Sequence, residues 1–284
     1  MKDRRIRQKF ARFAFAATVT LVFIACTKDN RLTQEEIPIT DKIKGIIVEG
    51  PWEVVVTQDD VNNHVSLEYC VGEKNRISAR LLPNGYLYLK ISGRGNLGNK
   101  IFRARVQVAT LEKIEASGAA RIRSYDNFMS MNSDISLSGA SSLNGLVVCF
   151  GELNITISGA SRLKDLTFFG KSINANLSGA SDLSLKYGEI DFDCTVDCSG
   201  ASIFTGSKGS ASKCSFTGSG ASSFKARNFE SDNLDIDLSG ASMAEVTVNN
   251  TIKGSLTGAS TLKYRKATNV NVSTHGGSKV TRVN

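Results

Sequence analysis

The sequence predicts an all-β protein, a β-solenoid with about 20-residue coils, and three features carry that expectation. A Ser-Gly-Ala motif returns through the second half of the 284-residue chain at a period of 20 or 21 residues, then 18. Apolar residues alternate ahead of the glycine, as in Leu153, Ile155, Ile157 and again in Leu234, Ile236, Leu238, which is the period of a strand with one buried face. Three prolines against 25 glycines suit long strands, which exclude proline, joined by tight corners, which demand glycine.

Residues 1–25 read as a lipoprotein signal peptide. Lys2, Arg4, Arg5, Arg7, Lys9 and Arg12 precede an apolar run from Phe13 to Ala25. The run is shorter than the roughly 20 residues that a membrane-spanning helix needs. Phe23-Ile24-Ala25-Cys26 resembles the lipobox of bacterial lipoproteins, with phenylalanine where leucine is usual, so Cys26 is the expected lipid-attachment residue. Several acyl chains, at about 0.8 kcal/mol per buried CH₂, hold a protein on a membrane stably. The expected address is the cell envelope, as an outer-membrane lipoprotein with either a periplasmic or a cell-surface face. Residues 26–42, which include Lys28, Asp29, Glu35, Glu36 and Pro38, read as a polar tether from that anchor.

Charge must be counted without the signal peptide. Its net +5 subtracted from the precursor's +8 leaves +3. So mild an excess does not suit a nucleic-acid binder, which rests on many phosphate contacts and a concentrated basic face.

Residues 43–110 contain less regular strands: Ile46-Ile47-Val48, Val54-Val55-Val56, Val65-Ser66-Leu67, Tyr86-Leu87-Tyr88-Leu89 and Val106-Gln107-Val108. Pro83-Asn84-Gly85 marks a turn between two of them. The region reads as irregular coils that continue into the solenoid, or as an N-terminal β cap on it.

Residues 111–284 are the repeat solenoid. The repeat glycine recurs at Gly118, Gly139, Gly159, Gly179, Gly200, Gly220, Gly240 and Gly258, and fades at His275-Gly276-Gly277. Two residues later stands a serine: Ser141, Ser161, Ser181, Ser202, Ser222, Ser242 and Ser260, then Ser278, with Ala120 departing in the first repeat. Four residues after the glycine another apolar position recurs as Ile122, Leu143, Leu163, Leu183, Phe204, Phe224 and Leu262. One such repeat cannot bury its apolar side chains alone, but stacked coils about 4.8 Å apart build a continuous core. Glycine at the corner accepts positive φ and lets backbones approach closely, and the serines form a ladder of hydroxyls that satisfy one another or adjacent backbone groups.

Candidate chemistry is sparse. A nucleophilic serine needs a base and an orienting group, and the two histidines, His64 and His275, lie near opposite ends of the stack. Asp182, Asp191, Asp193, Asp197, Asp232, Asp235 and Asp237 mostly alternate with apolar positions, as a solvated strand face requires. Asp191-Phe192-Asp193 and Asp235-Ile236-Asp237 could contact calcium, yet the glycine-aspartate nonapeptides of calcium β-rolls are missing. Cys70, Cys149, Cys194, Cys198 and Cys214 offer no paired C-x-x-C spacing for zinc. Cys194 and Cys214 each precede their repeat glycine by six residues and should stack at a spacing compatible with a disulfide, while Cys198 replaces a core aliphatic. Basic residues gather at Lys263, Arg265 and Lys266 around Tyr264, and more loosely at Arg94, Lys100, Arg103, Arg105, Arg121 and Arg123. Either group could contact lipopolysaccharide or acidic glycans, or guard an exposed strand edge.

Ile46-Ile47-Val48-Glu49-Gly50 followed by Val54-Val55-Val56-Thr57-Gln58, then Asn84-Gly85-Tyr86-Leu87-Tyr88-Leu89, and above all the serial Ser-Gly-Ala-Ser motifs resemble the putative auto-transporter adhesins with a head GIN domain. The resemblance covers residues 43 to 284 or so. It implies a right-handed β-helix, an envelope address and an adhesive or structural role without assigned catalytic residues.

The function expected is therefore that of a non-enzymatic envelope lipoprotein with an adhesin-like surface. The chain would need no cofactor or metal, would meet the membrane through its lipid, and would take a glycan or surface-protein ligand but no nucleic acid, with a homo-oligomer left open. A polysaccharide-active β-helix enzyme is the alternative. A compact group of acids and bases on one face would favour the enzyme, and an exposed aromatic or apolar patch would favour binding.

Overall fold

A computed structural model describes residues 31–60, 63–93 and 100–284. The protein is nearly all β and winds into a solenoid of about 8 turns with coils about 20 residues apart, as the repeat predicts.

Each regular coil runs along three faces. In one coil, Glu152–Ile157 lies on the first face, Ser158 to Ser161 turn the corner, and Arg162–Gly170 bends from the second face onto the third. The first face stacks in parallel from Lys113–Ser117 through Asn132–Leu137, Glu152–Ile157 and Ser172–Leu177 up to Asn269–Thr274. Register is unbroken where it matters for the core. Ile135, Ile155, Ala175, Val196, Phe216 and Ile236 form one inward column, and Leu143, Leu163, Leu183, Phe204, Phe224, Ala244 and Leu262 form another. All are buried, because alternate strand residues point to one side and that side is enclosed by the other faces. Phe216 stacks on Phe224 with ring centroids 4.9 Å apart.

The repeat corner shows why glycine is needed. Gly159 has φ +72°, and a Cβ placed there would lie 2.5 Å from the Gly139 carbonyl oxygen. The hydrogen-bond ladder continues through the corner, with the Ala160 N–H donating to Gly139 O at 2.8 Å and the Ala180 N–H to Gly159 O at 2.8 Å. Gly50 extends the same stack downwards, although no Ser-Gly-Ala motif marks it.

Residues 43–110 supply both coils and cap, and not in chain order. Gly45–Glu49 and Glu53–Gln58 pair in parallel with Lys113–Ser117 and Arg121–Ser124 above them. Beneath them lie later residues, Tyr86–Ile91 and Phe102–Val108. Antiparallel strands then close this end: Ile77–Leu81 against Tyr86–Ile91, and His64–Cys70 against Phe102–Val108. Of the tether expected over residues 26–42, residues 26–30 lie outside the described residues, and part of the remainder is ordered against the cap. Leu32–Ile37 is a strand in antiparallel register with His64–Cys70, since its alternating Leu32, Gln34 and Glu36 against Thr33, Glu35 and Ile37 suits an edge strand as well as a linker. The cap is pinned by buried Glu73, whose carboxylate takes Arg76 Nη1 at 2.9 Å and also pairs with Lys100.

Candidate functional site

The serine positions lie inside the corner and face the core. Ser141, Ser161, Ser181, Ser202, Ser222, Ser242 and Ser260 are all buried. The Ser222 hydroxyl donates to Ser242 Oγ at 3.0 Å, and the Ser141 hydroxyl is 3.3 Å from Ser161 Oγ. Others turn to the backbone three residues back: Ser202 to Ser199 O at 2.9 Å, Ser242 to Ser239 O at 2.7 Å and Ser260 to Thr257 O at 2.6 Å. The Ser181 hydroxyl has no hydrogen-bond partner among the described residues. No histidine reaches this row. His64 lies in the cap, 3.0 Å from Glu36, and His275 occupies the last corner.

Cys194 and Cys214 do stack in register on adjacent coils, yet both are free, as are Cys70 and Cys198, and all four are buried. A hydrogen bond with Cys214, together with burial, holds the Cys194 thiol well above its usual value, and burial pushes Cys198 up to about 12. These are inert thiols that fill aliphatic positions. Among the described residues no group of three or more His, Cys, Asp or Glu side chains is placed to hold a metal ion. Asp235 pairs instead with Lys213 at 2.8 Å and Lys253 at 3.3 Å, while Asp237 accepts from Ser255 Oγ at 2.7 Å. Cys26 and Arg94 lie outside the described residues.

The basic group at residues 263–266 is divided by its own neighbours. Lys266 pairs with Glu230 at 2.8 Å, Arg265 is partly buried with an Nε that has no partner among the described residues, and Lys263 is exposed. The looser group behaves differently, because register gathers it on the second face. Arg103 and Arg105 lie one strand below Glu53 and Val55, which lie one strand below Arg121 and Arg123. Beyond them come Ser142 and Asn144, then Arg162 and Lys164. Arg103 bridges Glu53 and Glu68 at 3.2 Å each, and Arg121 reaches Glu53 at 3.7 Å.

A second surface was not anticipated. Met129, Met131, Phe150, Phe169 and Phe192 are between 36% and 71% exposed and cluster along the edge where the third face meets the first. Met129 and Phe169 share a register column, the Phe150 N–H donates to Phe169 O, and Phe169 packs 5.4 Å from Tyr187. Phe192 follows Met131 up the adjoining corner, linked through Gly151 and Lys171. Phe150 has φ +87°, a conformation that L side chains rarely adopt, and its ring stands in solvent. A signal for this ridge does exist in the sequence. Consecutive apolar residues in a strand, Phe128-Met129 and Phe168-Phe169, must face opposite sides, so one of each pair is left outside.

Fold and surfaces together define the class: a parallel β-solenoid that displays its chemistry on rigid outer faces. The chain belongs to the family described as "Putative auto-transporter adhesin, head GIN domain", which matches residues 43–187 and 167–268. Membership of that adhesin-like family points to a surface or envelope protein. The fold is shared with a putative adhesin from Parabacteroides merdae at 14% identity and TM-score 0.67, covering 89% of this chain and 97% of that one. It is shared too with a putative lipid binding protein from Parabacteroides distasonis (14%, TM-score 0.61, 89% and 97%) and a putative adhesin from the same organism (18%, TM-score 0.58, 90% and 98%). No protein with a curated description matches the sequence.

Proposed function

We infer that the chain is a non-enzymatic, adhesin-like binding module of the cell envelope, held at the outer membrane through lipidated Cys26. The observation that carries this reading is the exposed ridge of Met129, Met131, Phe150, Phe169 and Phe192, which gathers half of the large exposed apolar side chains of the described residues along one edge. Contiguous exposed apolar groups are costly to keep in water, and aromatic and methionine side chains are the types that dominate interface cores. The occupant that fits is a surface component of another cell or of a host, bound through many weak contacts on a repeated scaffold. Beads carrying the mature chain should adhere to intact cells or mucin-coated surfaces, and M131S/F150S/F192S should abolish most of that adhesion. Equal adhesion by this variant would remove the ridge from the account. Anchoring is tested apart: Cys26→Ser should leave unprocessed precursor, with Lys2 to Arg12 still present by mass spectrometry.

The glycan-enzyme alternative keeps one favourable observation, the mixed group of Glu53, Glu68, Arg103 and Arg121 on one stacked face. Both carboxylates are engaged by guanidinium groups, an arrangement that fixes the arginines and suits a binding face. Cleavage of a polysaccharide that disappears in Glu53→Gln or Glu68→Gln would transfer the assignment to the enzyme.

A further inference from the structure

We propose that the second face near the N-terminal cap is a binding trough for a linear acidic polysaccharide, contacted by Arg105, Arg123, Arg162 and Lys164. The proposal deepens the binding-module reading by naming a ligand class for a surface separate from the apolar ridge.

Register builds the trough. Going up the stack, the outward pairs are Arg103 and Arg105, Glu53 and Val55, Arg121 and Arg123, Ser142 and Asn144, then Arg162 and Lys164. All six cations are exposed, because their neighbours Phe102, Ala104, Ile122 and Leu163 take the inward positions. Strands about 4.8 Å apart place these cationic rungs over about 19 Å. Two shallow depressions of about 240 and 210 Å³ share Arg121 and Arg123, so the surface between the rungs is continuous.

The charges fall into two sets. Glu53 and Glu68 hold Arg103 and Arg121 in place. Arg105, Arg123, Arg162 and Lys164 have no ion-pair partner among the described residues. The nearby acids lie at the margin: Asp165 follows Lys164 at the bend, and Asp182 sits one strand above Arg162. Four uncompensated cations in a row attract an anion, and guanidinium forks favour carboxylate or sulfate over a point charge.

The row also selects a shape. The cations do not converge on one point, so a single phosphate could meet only one rung. A polymer with an anion on successive units can meet several, and weak contacts then add. Exposed Tyr125, two residues after Arg123 and beside Gly145, stands at the edge of the rungs, and Val55 offers a small apolar step, so both can meet a sugar face; the single-stranded DNA arm of the test below separates this from base stacking.

Binding of polygalacturonate and chondroitin sulfate to the mature chain would be measured by calorimetry at low and physiological salt. Neutral dextran, phosphatidylglycerol vesicles and single-stranded DNA are the comparison ligands. The acidic glycans should bind with an affinity that falls as salt rises, and dextran should not. Each single alanine change at Arg105, Arg123, Arg162 or Lys164 should weaken binding roughly threefold to fivefold, and all four together about a hundredfold. Lys279→Ala, on the same face at the far end, should change nothing, and circular dichroism should show every variant folded. Equal binding by the fourfold variant, equal binding of dextran, or tighter binding of vesicles or DNA would overturn the proposal. M131S/F150S/F192S should leave glycan affinity intact, so failure here is separable from failure of ridge-mediated adhesion.

Discussion

Gly159→Val tests the corner on which the whole stack depends. Gly159 has φ +72°, and its added Cβ would meet the Gly139 carbonyl oxygen at 2.5 Å and the Gly139 nitrogen at 3.1 Å. A left-handed conformation costs an L residue about 1–2 kcal/mol. Forcing atoms into a packed site adds about 1–3 kcal/mol. Those obstructing atoms are backbone, and relief would stretch the corner bonds of Ala160 and Ala180, each worth about 1 kcal/mol. A total of about 2–7 kcal/mol is expected, the upper end if both corner bonds are lost. Ser161→Ala should cost only about 1 kcal/mol, since the Ser141 hydroxyl keeps the Ala116 carbonyl at 3.2 Å. Ser181→Ala should be close to neutral, because the Ser181 hydroxyl is buried without a hydrogen-bond partner among the described residues. Urea unfolding followed by circular dichroism ranks the three, with the fluorescence of buried Trp52 as a separate probe of the N-terminal coils. Equal losses for Gly159→Val and Ser161→Ala would mean that the backbones do not touch at this corner.

Three further outcomes follow from the buried groups. Cys194, Cys198 and Cys214 should resist alkylation in the folded chain and all react once it is unfolded without reductant; a Cys194–Cys214 bridge found by mass spectrometry would contradict the free thiols. The Cys198 thiol, pushed from 9.0 to about 12 by burial, should make stability full below about pH 9 and decline between there and pH 12. Cys198→Val should remove the Cys198 share of that decline, roughly 1.4 kcal/mol per pH unit, and leave the share of the same sign that Cys194 contributes. Glu73 is held below its ordinary value of 4.5 by hydrogen bonds from Lys100 and Arg76, which outweigh its burial. Its contribution should be present above about pH 4.5 and lost as pH falls through the lowered value, so Glu73→Gln should flatten the acid limb of the stability profile.

Much of this architecture is written locally. The Ser-Gly-Ala period, the inward column through Ile135 and Ile155 and the substitution of Cys198 for an aliphatic could all be read because each repeat carries the same constraint at the same place. Gly50 carries no repeat signature, because Pro51 and Trp52 follow it rather than Ala and Ser, although it stacks under Gly118 as the repeat glycines stack on one another. Leu32–Ile37 reads as linker because an edge strand of a cap, paired on one side and wet on the other, needs little hydrophobicity. Only its partner His64–Cys70 distinguishes the two.

The binding faces were harder to see, and the reason lies in the order in which the chain visits the stack. Arg103 and Arg105 follow Glu53 by some fifty residues and yet lie beneath it, because the chain completes the coil of Gly45–Glu49 and Glu53–Gln58, descends to build Tyr86–Ile91 and Phe102–Val108, and then passes over both to Lys113–Ser117. A monotonic winding read from the period would have placed the arginine pair 103 and 105 next to the pair 121 and 123. The actual order inserts Glu53 and Val55 between them. That insertion spaces the cationic rungs two strands apart and supplies the carboxylate that holds Arg103 and Arg121. The cap is therefore part of the surface it closes: unfolding of the Glu73-pinned segment would remove Arg103 and Arg105 from the trough while leaving Arg121 to Lys164 in place. Glycan affinity should accordingly fall in acid together with the cap, before the regular coils are lost.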